Sequence, residues 1–398
     1  MIQDKHSQPY FARLWDVFAS FFLLGWTSFG GPAAHLGYFN QTFVQQKQWV
    51  TASQYAQWVA LSQVVPGPGS SQVGFALGYH RAGILGAVAA FVAFTLPSFL
   101  IMVLLAQFGH HWQQEAMFEA MVQALKLLAV VVVADACVTM WRAFCKSKMT
   151  MFLAIASALI LVMMPSAQMS LLVLLAAGLL SVLLLDTEPK EHTSLPKISL
   201  AGWFFFIAVG VFVASFFFSQ GLGQLFADFY QAGALVFGGG HVVLPMLSSF
   251  VSDSVSEANI LIGYAAAQAV PGPMFTMASY LGAASAQGNI WLWAAVATLA
   301  VFLSGLLLML AAQGAWQKLS DNRRFMAAVA GLNAAVVGIL LAALYYPIGT
   351  SSLYSWLDIL VVTLGFVWLI WRRPSIFLLI ISFVLVGLLR YLWLPNAF

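Results

Sequence analysis

SQVVPGPGSS at residues 62–71 and AQAVPGPMFT at residues 267–276 are two copies of one helix break. Each sets Pro-Gly-Pro after an apolar run, with a glutamine (Gln63, Gln268) three residues before the first proline. Proline has no backbone N–H to donate and glycine gives up helical preference, so neither run continues as one helix through this point. Upstream of each copy stands a second break, Phe29-Gly30-Gly31-Pro32 in the first half and Phe237-Gly238-Gly239-Gly240 in the second. The two motif pairs are offset by 208 and 205 residues. ALKLLAVVV (124–132) can be laid on GLNAAVVGI (331–339), so an internal repeat runs through most of the chain.

The solvent around these breaks is lipid. Of 398 residues 62% are apolar and only 7% are charged, against roughly 25% charged in soluble domains. That is too little charge to coat a water-soluble globule, which excludes a soluble enzyme, a secreted disulfide scaffold and a disordered chain. The net charge of +3 is mild. Its basic residues lie between apolar runs and form no nucleic-acid patch. Cys137 and Cys145 fall on one expected helix, about 12 Å apart along its axis, too far for a disulfide. Residues 1–13 read as a cytoplasmic N-terminus and carry no signal-peptide pattern.

Stretches without Asp, Glu, Lys or Arg include 17–46, 48–80, 82–114, 149–185, 198–227, 258–317 and 325–357. A crossing takes about 20 residues, so 258–317 must fold back. Full crossings are expected near 83–108, 116–141, 150–164, 168–185, 198–218, 290–315, 325–346, 353–371 and 375–393. The absence of period-2 alternation argues against a β-barrel. The fold class expected is therefore all-α and integral to the membrane, with two homologous halves of inverted topology, broken or re-entrant helices, and one extra transmembrane helix between the halves. In domain terms, 14–185 is the first repeat, 186–222 a linker with the connecting helix, and 223–398 the second, inverted repeat.

Inversion is read from loop charge. Lys47, Arg81 and the 142–148 loop are basic in the first half, while HHWQQ (110–114) has no Lys or Arg. In the second half Asp253, Glu257 and the neutral Gln287-Gly288-Asn289 replace Lys47 and Arg81, and the counterpart of HHWQQ carries Lys318, Arg323 and Arg324. Positive loops face the cytoplasm, so the halves read as upside down to one another. Arg390 is an exception on the expected outer side. A parallel duplication with accidental charges is the competing reading.

Two pieces of about 14 residues flank Pro66-Gly67-Pro68, each too short to cross. With basic residues at both ends they form a hairpin at 51–80 that enters and leaves one face, and 257–288 is its copy from the other. The tips would meet near the midplane. A helix beginning after Pro-Gly-Pro offers unpaired N–H groups and a positive dipole end. Ser70 and Ser71 add hydroxyls at one tip and Thr276 at the other. Such a pocket is rich in donors and poor in fixed charge, which suits a tetrahedral oxyanion, and inverted repeats with broken midplane helices are a recurrent transporter design. The expected substrate-binding set is Gly30, Gly31, Pro32, Gln63, Pro66, Gly67, Pro68, Ser70 and Ser71, with Gly238, Gly239, Gly240, Gln268, Pro271, Gly272, Pro273 and Thr276. His35 and His241 follow the Phe-Gly-Gly breaks and are candidates for proton coupling or anion contact, although a membrane histidine is more often simply packed. Lys126 and Asp135 are ionisable groups within the 116–141 crossing and join them as coupling or anion-path candidates. No Walker loop, metal-ligand spacing or nucleophile–base set is present, so no enzyme, cofactor or metal is expected.

At these motifs the chain resembles the chromate transporter family. The matching residues are Phe29-Gly30-Gly31-Pro32 with His35-Leu36-Gly37, Leu61-Ser62-Gln63 with Pro66-Gly67-Pro68, Phe237-Gly238-Gly239-Gly240-His241, and Gln268-Ala269-Val270 with Pro271-Gly272-Pro273. The resemblance covers about residues 12–395 and fits the long, two-domain form. It implies a multi-pass protein of the bacterial inner membrane that exports chromate and confers chromate resistance, with sulfate as a competitor or second substrate. Met274 and Phe275 stand where the first copy has Gly69 and Ser70, so the two tips are unequal. The partners implied are the oxyanion and the lipid bilayer, with no nucleic acid. Oligomeric state is open, a homodimer included. Secondary active efflux leads, with oxyanion uptake or exchange, a passive anion channel and a membrane enzyme acting on phospholipid as the alternatives.

Overall fold

The structure, a computed structural model, describes residues 9–109, 116–184, 200–237, 243–251, 255–313 and 321–393. Every regular element among them is helical. Four helices are long and apolar enough to cross a membrane: Gly69–Gly109, Ala120–Phe144, Ile290–Gln313 and Arg323–Gly349. The chain is a multi-pass membrane protein. Several other expected crossings are helices of only 16 to 18 residues, such as Lys148–Met163, Ala167–Leu183 and Leu200–Ser215. At 1.5 Å per residue they span about 24–27 Å, slightly less than a typical hydrocarbon core.

The chain divides into two compact units that each draw on both halves. The first comprises 1–105, 191–243 and 270–319, and the second comprises 106–190, 244–269 and 320–398.

In the first unit α1 (Tyr10–Thr27) turns Val17, Ser20, Phe21 and Leu24 inward at helical spacing. Its other face leaves Phe11, Trp15 and Leu23 exposed, as lipid contact allows. It ends where Gly30 (φ 94°) and Gly31 (φ 75°) take left-handed conformations that only glycine adopts without strain. Next come α2 (Gly31–Phe39), a π-helical stretch (Asn40–Gln46) and α3 (Ala52–Val64). α4 (Gly69–Gly109) is broken at Ala82 and Gly83, the latter at φ 68°. The arm 69–81 thus pairs with α3 as a hairpin of two short pieces, and 84–109 is a separate crossing. Phe21 is the centre of the core: it stacks on Phe43 at 4.7 Å and meets Phe39 and Phe94 edge-on. From the linker this unit contains α8 (Leu200–Ser215), and from the second half α9 (Gly221–Leu235), a 3₁₀ turn (Met274–Thr276), α12 (Met277–Ala284) and α13 (Ile290–Gln313). α13 packs against α8, α9 and α12.

The second unit holds α5 (Ala116–Phe144), α6 (Lys148–Met163), α7 (Ala167–Leu183), α11 (Glu257–Ala269), α14 (Arg323–Ala343), α15 (Trp356–Arg372) and α16 (Ile376–Trp393), with most of α10 (Val243–Val251). α14 is pressed onto α6 and α7 through glycines. A Cβ on Gly338 would stand 2.5 Å from Cβ of Ser157, and one on Gly331 2.6 Å from Cβ of Ser181. Small residues at crossings let helices approach where no hydrophobic effect drives them together. Arg390 on α16 donates to the buried carboxylate of Asp358 on α15, whose other oxygen caps the helix start at Tyr354 and Ser355. Arg390 is therefore a paired structural charge.

Candidate functional site: two reciprocally capped turns

The two Pro-Gly-Pro turns lie in the first unit and are built alike. Gly67 has φ 125° and Gly272 φ 105°. The Gly67 amide donates to the Val236 carbonyl at 2.6 Å, and the Gly272 amide donates to the Ser28 carbonyl at 2.9 Å. Ser28 and Val236 are the residues just before the two Phe-Gly-Gly motifs, 208 apart in sequence. Each turn is thus capped by the chain entering the other repeat's glycine break.

The crossing helices repeat the exchange. A Cβ on Gly67 would lie 2.7 Å from Cα of Gly305 on α13, and one on Gly272 would lie 2.7 Å from Oγ of Ser98 on α4. Ser98 and Gly305 are 207 apart in sequence. Gln72 locks the first turn, its amide nitrogen donating to the carbonyls of Pro66 (2.9 Å) and Gly305 (3.1 Å). A Cβ on Gly31 would stand 3.4 Å from the Met274 sulfur, so the first glycine break borders the second turn.

The first-repeat motifs converge further. His35 on α2 is fully buried, and its Nδ1 lies 3.2 Å from Ser70 Oγ. Its ring meets Phe94 edge-on, while Nε2 completes no hydrogen bond. Tyr55 of α3 donates to the Leu36 carbonyl at 2.6 Å, tying the hairpin to α2.

Donor accounting shows what remains for a guest. The Gly67 and Gly272 amides are used by the caps. The Thr276 hydroxyl donates back to the Pro273 carbonyl at 2.7 Å, so its proton is committed to the turn. The amides of Gly69, Ser70 and Ser71 open α4 with no acceptor among the described residues, and those of Met274 and Phe275 are alike at the other turn. Ser71 Oγ is buried without a partner. Buried donors in this state cost free energy unless something accepts from them. The set carries no fixed charge and is rich in donors, with the Gln72 Oε1 as a buried acceptor that also lacks a partner.

The structure gathers Gly30, Gly31, Pro32, His35, Pro66, Gly67, Pro68, Ser70, Ser71, Pro271, Gly272, Pro273 and Thr276 into the first unit. Gln63 belongs to it too but is exposed, and its side chain makes no hydrogen bond among the described residues. Gln268, Lys126 and Asp135 fall in the second unit. Lys126 and Asp135 are half-buried there and make no ion pair among the described residues. Gly238, Gly239, Gly240 and His241 lie outside the described residues. Sequence reading did not find Gln72, Ser98 or Gly305; only the matched 207-residue offset of the last two carried a trace of them.

The family model for the chromate transporter matches residues 15–182 and again 223–388. The chain belongs to the chromate transporter family. That family is a membrane transport family and not an enzyme family. The chain is 28% identical to a probable chromate transport protein of Synechococcus elongatus over 84% of each chain. It is 27% identical to the chromate transport protein of Cupriavidus metallidurans, over 85% of this chain and 83% of that one. An uncharacterised transporter of Methanocaldococcus jannaschii is 24% identical over 94% of both. No solved structure matches this chain. The chain is an ion transporter of this family.

Proposed function

We propose that this protein is a secondary active transporter of a tetrahedral oxyanion, chromate first among them, and that it moves the ion outward across the bacterial inner membrane. The relatives named as chromate transport proteins support the substrate. The observation that carries the binding site is the reciprocal capping of Gly67 by Val236 and of Gly272 by Ser28, which sets two helix starts with unused amides into one unit. The dianion is held by the amides that open α4 and the 3₁₀ turn, with Ser71 and the Ser70–His35 pair beside them. No fixed positive charge holds it, so release is not prevented by a tight ion pair. The reversed loop charges support two inverted repeats, 14–185 and 223–398, joined by the linker 186–222. In that arrangement the two turns open alternately to the two sides. A dianion leaving a cell that is negative inside gains roughly 4.6 kcal/mol per 100 mV, enough to drive efflux without a nucleotide.

The test is flux of labelled chromate in proteoliposomes under imposed potential and imposed pH gradient, with sulfate, molybdate and phosphate as competitors. The expected result is saturable chromate flux that follows the potential and is competed by sulfate. Flux that ignores both gradients removes the active mechanism, and absence of chromate flux beside robust sulfate flux replaces the substrate.

A further inference from the structure

A charged locus stands in the first unit around Asp16, Lys47 and Arg81. Asp16 on α1 bridges Lys47 at 2.5 Å and Arg81 at 3.8 Å. Lys47 and Arg81 also lie over the Trp49 ring, at 5.5 and 5.3 Å from its centroid. These two cations share one carboxylate and one aromatic face. Arg13 is different. It donates from Nη1 to the Arg81 carbonyl at 3.3 Å and sits over the Tyr10 ring at 5.6 Å. It has no carboxylate partner among the described residues, and its buried Nε completes no hydrogen bond. Arg13 thus lies close enough to Arg81 for the two like charges to repel, without a carboxylate of its own among the described residues. A guanidinium so placed in a half-buried site calls for an anion.

The same place has an apolar wall. A groove of about 360 Å³ runs between the start of α1 and the break in α4, lined by Tyr10, Arg13, Arg81, Ala82, Ile84 and Leu85. Ile84 and Leu85 are 48% and 57% exposed. In a membrane protein exposed apolar side chains such as these meet acyl chains, and the loop-charge reading puts Arg81 at the membrane–water interface. A free inorganic anion would use the guanidinium groups and leave the apolar wall idle. A lipid uses both.

We propose that this groove binds the phosphate of an anionic phospholipid, with Arg13 as its main ligand and Ile84 and Leu85 against its chains. The lipid then rests on the Ala82–Gly83 break, the joint between the hairpin arm carrying Ser70 and Ser71 and the crossing helix carrying Ser98.

The full chain purified in detergent provides the test. Thermal unfolding is measured after adding phosphatidylglycerol, phosphatidylcholine or sodium sulfate at matched ionic strength. Phosphatidylglycerol is expected to raise the midpoint by a few degrees and the other two to leave it unchanged. Arg13→Gln, and separately Leu85→Glu at an exposed position, should lose that rise. Native mass spectrometry should show one fewer retained phosphatidylglycerol in each variant. Four results overturn the proposal: no rise in the wild type, an equal rise with phosphatidylcholine, the same rise in both variants, or sulfate reproducing the effect. The last of these would make the groove a site for free oxyanions. If either variant starts from a collapsed midpoint, lipid retention on the other decides.

Discussion

Gly67 shows how much one position can fix. Its φ of 125° and its 2.7 Å approach to Cα of Gly305 leave room for no side chain. Gly67→Ala should cost about 1–3 kcal/mol of strain and shift the turn. The expected readout is near-complete loss of chromate flux from protein that still inserts. Ser71 makes the opposite case, because its hydroxyl is buried and unpartnered. Ser71→Ala should leave thermal stability unchanged or higher. If the hydroxyl donates to the anion, the substitution weakens apparent affinity by about tenfold or more, the size of a hydrogen bond to a charged group. Unchanged affinity would remove Ser71 from the site. The prolines and glycines were readable in advance because their backbone limits are intrinsic. The acceptors opposite them were not. Any residue offers a carbonyl, and Ser28 and Val236 share nothing as side chains. Spacing singled out Gln63, whereas the structure clamps the turn with Gln72. A side chain in the first turn of a helix points back toward its N-terminus, and from there Gln72 reaches the Pro66 carbonyl.

At the scale of the element, the expected hairpin of two short pieces is present as α3 and 69–81, and the expected start of the following crossing near residue 83 coincides with the break at Ala82 and Gly83. Apolar run length and a single arginine made that joint legible. The pairing of α15 with α16 was less so, since Asp358 and Arg390 are 32 residues apart and meet only through packing. Their side chains are almost wholly buried, so removing one leaves the other uncompensated. Asp358→Asn should destabilise by about 3–5 kcal/mol. Adding Arg390→Met should recover most of that loss. A melting series on the two single variants and the double variant checks this, and simple additivity would show that the pair is not coupled.

For the whole molecule, composition alone placed the chain in a bilayer, and the family match covers the two repeats. The division into units was not legible. Each compact unit takes segments from both halves, and contacts between distant segments leave no periodic mark on the sequence. Inversion of the repeats is tested by labelling. Gln48, next to Lys47, and Gln287, at the counterpart of Arg81, are both exposed and fall on opposite faces if the repeats are inverted. In a background with Cys137 and Cys145 replaced by alanine, Gln48→Cys should react only from the cytoplasmic side and Gln287→Cys only from outside. Reaction of both from one side would favour a parallel duplication and would dismantle the alternating opening of the two turns.

The crossed bonds from Gly67 to Val236 and from Gly272 to Ser28 set a condition on any single repeat. A lone repeat would own one donor glycine and one acceptor carbonyl, each with nothing to meet inside its own chain. Two such polypeptides satisfy each other in full. Either repeat made alone should therefore leave both groups unmet, and the two made as separate chains should each need the other to complete its turn.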